Sequence, residues 1–159
     1  MKNDFQIQSL DAKEFSEYFN WNDSELANIG AIRMIVDEKP GYPCRVSLED
    51  AEIGEEVILL PYKHHNTNSP YQALGPIFVR KNARNAILEM NALPKMLNHR
   101  LLSIRGYDSH GILKEATVTE GTNLREILDN IFDNQEVSYI HIHNAKPGCY
   151  NCMAIRVVN

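Results

Sequence analysis

The stretch from Tyr139 to Cys152 constrains this chain most, because its side-chain order reads as an extended strand followed by a sharp return. Side chains alternate faces along a strand, so in Tyr139-Ile140-His141-Ile142-His143 the tyrosine and both histidines share one face and the isoleucines the other. The isoleucines are natural core residues, which turns the imidazoles to the opposite side. Pro147-Gly148 forces a turn and brings Cys149 back toward that side. With Asn144 and Cys152 close by, the segment gathers several chemistry-bearing residues into one candidate site.

The rest of the chain reads mostly as strand, turn and strand. Phe5-Gln6-Ile7-Gln8 alternates as a short edge strand. Asp11 and Glu14 have capping-box spacing, with Phe15, Tyr18 and Phe19 at helical intervals, so a helix is expected to about Asn20. A helical turn over Leu26 to Ile29 ends at Gly30, and a strand follows from Ala31 to Val36. Pro40-Gly41-Tyr42-Pro43 enforces a loop. Val57 to Tyr62 is a strand whose unbroken apolar run implies burial on both faces; a polar loop from His64 to Gly75 and a strand from Ile77 to Arg80 come next. Asn82 to Asn98 allows only a weak helix. Leu101 to Tyr107 and Ile112 to Val118 flank a hairpin turn at Asp108-Ser109-His110-Gly111. Asn123 with Glu126 reads as a capping box for a helix with Leu124, Ile127, Leu128, Ile131 and Phe132 on one stripe. Strands from Val137 to His143 and from Cys152 to Val158 close the chain. The expected fold is α+β, a largely antiparallel curled sheet of about seven to eight strands with two or three helices. It is read as one domain over 1–159, with the strand and helix of 1–30 as an embellishment.

Composition narrows the classes of function. Across 159 residues the formal net charge is -5, and no lysine or arginine cluster exceeds two neighbours, which argues against a surface that tracks a nucleic-acid backbone. The first five residues lack the apolar run of a secretory signal, and no stretch approaches the ~20 apolar residues that span a bilayer. Three cysteines in a chain without an export signal fit reduced thiols, so the expectation is a soluble cytoplasmic protein with no nucleic-acid or membrane partner.

Five blocks carry a family resemblance. They are Gly41-Tyr42-Pro43-Cys44-Arg45 running on to Ala51, Gly54 to Leu60, Ser69-Pro70-Tyr71 running on to Arg80, Leu101 to Asp108, and Val137 to Tyr150. In this order they resemble a small bacterial family known as domain of unknown function 1203, with a family-like core over 42–156. The resemblance implies no activity. It does imply that Cys44, Arg45, Tyr71, Arg105, His141, His143, Asn144 and Cys149 match the family pattern, while Cys152 and the His64-His65 pair stand outside it.

Three chemistries compete for these residues. Histidines at i and i+2 on a strand lie about 7 Å apart at Cα and can close on one ion, with Cys149 and Cys152 completing a tetrahedral zinc or other divalent-metal site. Alternatively, Cys149 beside His141 or His143 forms a Cys-His pair, with Asn144 or Tyr139 orienting the ring. Third, Arg45, Arg105 and Arg156 interrupt apolar or extended stretches and need either a carboxylate partner or a bound anion. The bland counterparts are a polar strand face, buried thiols and internal ion pairs. The leading expectation is a pocket for a small polar or anionic metabolite, with His141, His143 and Cys149 as catalytic candidates and Cys44, Arg45, Tyr71, Arg105 and Asn144 as binding residues. The alternative is a non-catalytic module that binds a metal or a protein partner through the same face.

Overall fold

The structure, a computed structural model, describes residues 3–158; Met1, Lys2 and Asn159 of the expected 1–159 domain lie outside the described residues. Eight strands are present: β1 Phe5–Gln8, β2 Ile32–Ile35, β3 Glu56–His65, β4 Ala73–Arg80, β5 Leu101–Tyr107, β6 Leu113–Glu120, β7 Tyr139–Asn144 and β8 Tyr150–Arg156. The two α-helices are α1 Asp23–Asn28 and α2 Leu124–Phe132. Every strand pairing is antiparallel, but the strands form two sheets instead of one curled sheet. One sheet has the order β1-β8-β7-β5-β6 and the other β2-β3-β4. The chain passes from the smaller sheet to the larger through the stretch between β4 and β5, which among the described residues holds no α-helix or strand.

Several local expectations change for identifiable reasons. The Asp11 to Asn20 helix is replaced by two short 3-10 turns, Ala12–Glu14 and Ser16–Asn20, with Asp11 accepting from the Lys13 amide. The reciprocal capping box forms instead at Asn22 and Glu25 and starts α1. At α2 the Asn123 side chain makes no cap, because the chain enters the helix through a 3-10 turn at Gly121–Asn123. The polar loop expected from His64 shrinks: β3 continues through Pro61 to His65, and β4 begins at Ala73.

A nine-residue helix is marginal in isolation, so packing must hold α2. Its Leu124, Leu128, Ile131 and Phe132 close over Leu102, Ile104, Ile140, Ile142, Cys152 and Ala154 of the five-stranded sheet. Each such fully buried side chain contributes about 1.5–3 kcal/mol relative to exposure. A second core joins Ile58, Leu60, Ile77 and Val79 to Phe15 and Leu26 from the N-terminal turns. With α2 occupying the isoleucine face of β7, the other face of that strand is left for the far end of β3.

Close approach of α2 depends on Gly106 in β5. A Cβ there would meet Ile131 Cγ2 at 3.0 Å and Val137 Cγ1 at 3.2 Å. Gly106→Ala should destabilise the protein by about 1–3 kcal/mol in urea denaturation, through overpacking. An unchanged midpoint would show that the helix steps back without cost.

Candidate functional site

Alternation along β7 does what the sequence implies. His141 faces Arg105 of β5 across the ladder and His143 faces Ser103, while Ile140 and Ile142 lie in the helix-covered core. Directly opposed residues of an antiparallel pair project to the same face, so Tyr139, His141, His143, Ser103, Arg105 and Tyr107 form one surface. The imidazoles do not look out on water: His141 is 3% exposed and His143 1%.

What covers them is the end of β3. A register shift between Tyr62 and His65 interrupts the β3–β4 ladder. Regular alternation would send adjacent residues to opposite faces; at this bulge His64 and His65 both reach the five-stranded sheet. The His64 ring lies 5.1 Å from that of His143 and 6.2 Å from that of His141, and it stacks on Tyr150 at 5.3 Å with an interplanar angle of 6°. His65 packs on Tyr107 and Tyr139 instead. Its Nδ1 donates to the Tyr71 carbonyl at 2.7 Å, leaving Nε2 to accept from the Tyr139 hydroxyl at 2.6 Å. Both of its ring nitrogens are therefore engaged.

The other three histidines differ. One ring nitrogen from each of His64, His141 and His143 falls within 4.8 Å of those of the other two. Nδ1 of His64, Nδ1 of His141 and Nε2 of His143 are buried without a hydrogen-bond partner. The second nitrogen of His143 is fixed: Nδ1 donates to the Gly148 carbonyl at 2.9 Å, which puts the lone pair on Nε2. Gly148 has φ +80, so the Pro147-Gly148 turn supplies the acceptor that sets this tautomer. Burial, reinforced by mutual repulsion and by Arg105, pushes His64 down to about 4 and His141 down to about 2. Burial likewise takes His143 down to about 3, opposed by its bond to Gly148. Three neutral imidazoles with free nitrogens are in the form that binds metal.

The cysteines go elsewhere. Cys152 pairs with Ile142 across the β7–β8 ladder and sits in the core on the isoleucine face, where burial pushes its thiol up to about 12. It cannot join the histidines, and the expected two-histidine, two-cysteine set does not assemble. Cys149 Sγ accepts from Arg45 Nη2 at 3.1 Å and from Asn144 Nδ2 at 3.4 Å, and neither partner is an imidazole. The Cys-His pair is not formed because the turn that brings the chain back spends its carbonyl on His143 and points the thiol at Arg45. Cys44 is fully buried in the second core, its sulfur accepting from the Ser47 and Arg80 amides.

Each arginine also has a distinct fate. Arg45, 1% exposed, donates to the carbonyls of Tyr150 and Pro43 as well as to Cys149, and thereby clamps the Pro43–Arg45 segment to the five-stranded sheet. Asp50, close to Arg45 in sequence, is paired with Arg100 at 2.5 Å. Arg156 caps the chain leaving α2 through the carbonyls of Phe132, Asn134 and Val137. Arg105 alone of the three stays at the histidine cluster, beside Tyr107 and Ser103. Tyr71, 40% exposed, borders the same cluster through Tyr107, whereas Asn144 is held away by Asn151 and Cys149.

A cleft of about 820 Å³ lined by Arg45, Asn144, Pro147 and Cys149 is separate from the cluster, since none of the three histidines borders it. No helix among the described residues is long and apolar enough to cross a membrane. The family model described as protein of unknown function (DUF1203) matches residues 41–156, and the chain belongs to that family. No curated protein and no solved structure matches the chain.

The buried imidazoles have a consequence for acid stability. A histidine whose pKa is lower folded than unfolded stabilises fully above the unfolded value, and that stability is lost as pH falls toward the folded one. The metal-free chain should therefore hold its stability above about pH 6.5 and lose it steadily between pH 6.5 and 4, by up to about 1.4 kcal/mol per pH unit for each buried ring. Urea midpoints across that range test this; a flat profile would mean that the rings are protonated or hydrated in the folded state.

Proposed function

We propose that the protein binds a divalent transition-metal ion of the zinc class through His64, His141 and His143. The observation that carries this reading is the convergence of three imidazoles, each with a buried ring nitrogen that no protein group answers. A buried polar group without a partner costs roughly 1–3 kcal/mol, and three in contact call for a ligand that satisfies all of them. Imidazole suits zinc, copper, iron and nickel. Zinc at ~2.0–2.1 Å from each nitrogen wants them about 3.3 Å apart, so small ring rotations within the cluster suffice.

Three protein ligands leave a tetrahedral ion one position for water or substrate, which is the pattern of catalytic rather than structural zinc. The Gly148 carbonyl on His143 serves as an outer partner that fixes tautomer and ring orientation. The competing reading, a metal-free pocket with a histidine as general base, is disfavoured by the same burial. A base held at about 2 to 4 is far from the neutral range in which general bases work best.

Purified protein treated with chelator and reloaded with zinc should hold one ion per chain by elemental analysis. His64→Ala is the most informative variant, because this ring is only half-buried and its loss threatens folding least. It should retain the wild-type circular dichroism and lose the ion, whereas His65→Ala, whose nitrogens are already engaged, should keep it. Equal loading of wild type and His64→Ala would refute the assignment.

A further inference from the structure

We infer that the open side of this centre takes a small organic carboxylate, one oxygen directed at the ion and the carboxylate held by the Arg105 guanidinium. The inference rests on the metal reading and extends it to the ligand. Arg105 faces His141 across the β5–β7 ladder and acts electrostatically on all three imidazoles. Its side chain donates from Nε to Ser103 Oγ at 3.2 Å and acts electrostatically on Tyr107, and among the described residues no carboxylate pairs with it.

Charge decides the sign of the ligand. Neutral imidazoles do not cancel the two positive charges of a divalent ion, and Arg105 adds a third within the same site. The cations that act on these rings are Arg105, on all three, and Arg45, on His143, and no aspartate or glutamate is among the groups that act on them. Such a locus is neutralised by an anion from outside.

Shape decides its class. A single guanidinium matches the planar fork of a carboxylate. A phosphate dianion is usually met by several donors, yet Arg45 is already committed to Cys149 and two carbonyls and Arg156 to the helix end. Tyr107, stacked with Tyr139 at 5.5 Å and met edge-on by the half-exposed Tyr71 at 6.1 Å, offers an aromatic wall for a small organic body.

The test uses cobalt(II) in place of zinc, because its visible spectrum reports changes at the fourth position. Cobalt-loaded wild type should show a saturable spectral change with acetate, and inorganic phosphate should need a higher concentration. In Arg105→Gln the acetate half-saturation should rise at least tenfold with cobalt stoichiometry unchanged. Arg105→Lys, which keeps charge but loses the fork, should fall between the two. Identical half-saturation in wild type and Arg105→Gln, or no response of the loaded wild type to acetate, would overturn the carboxylate site while leaving the metal assignment standing. Tighter binding of phosphate than of acetate would overturn the choice of carboxylate. Failure of His64, His141 and His143 to take up cobalt at all would remove the metal reading and the ligand with it.

Discussion

The packing of three imidazoles against one another, each with a buried nitrogen that no protein group answers, is the constraint around which the rest of this structure is arranged. Leaving a polar nitrogen dry costs free energy, and protonating it there costs more. A fold selected only for stability would place aliphatic side chains at such positions. The chain instead spends a bulge at the end of β3, an extended pair of positions on β7 and the carbonyl of a proline-glycine turn to hold the rings together. Local rules are broken at this cluster, as functional sites often require.

The two-sheet architecture makes the arrangement achievable. Helix α2 packs on the isoleucine face of the five-stranded sheet together with Leu48, Met96, Leu97 and Val137, which leaves the opposite face to the histidines and tyrosines. Arg45 then ties the loop beside the smaller sheet to β8 by bonding carbonyls on both sides of the seam. With no aspartate or glutamate paired with it among the described residues, the guanidinium is compensated by the Cys149 sulfur and two carbonyls, and burial lowers its pKa. The arginine and thiol thus join the Pro43–Arg45 segment to β8 and the turn before it.

Much of this was legible along the chain wherever the determinant was local. The shared face of His141 and His143 follows from strict alternation with two isoleucines, and the apolar stripe of α2 follows from helical spacing. The family core was readable for the same reason, as blocks in order. His64 was not, because it follows an apolar run and precedes a polar stretch rich in asparagine and serine, so it resembled the start of a loop. Two adjacent histidines cannot both face one sheet without a bulge, and a bulge is set by strand pairing that no short window contains. The spacing of Cys152 from Cys149 resembles a ligand motif, yet the side chain lies in the core. Hairpin pairing with Ile142 would have assigned it to the core face. Nor could the sequence show that Asp50 belongs to Arg100, or that Arg45 answers to backbone carbonyls, since both depend on where distant loops come to rest.

X-ray absorption at the zinc edge on the zinc-loaded protein addresses the central claim most directly, since it counts the atoms around the ion. The account predicts three imidazole nitrogens and one further light atom at ~2.0–2.1 Å, with no sulfur. A sulfur scatterer near ~2.3 Å would place Cys149 in the coordination sphere, and a shell of water oxygens without imidazole signatures would show that the three rings are not a metal site at all.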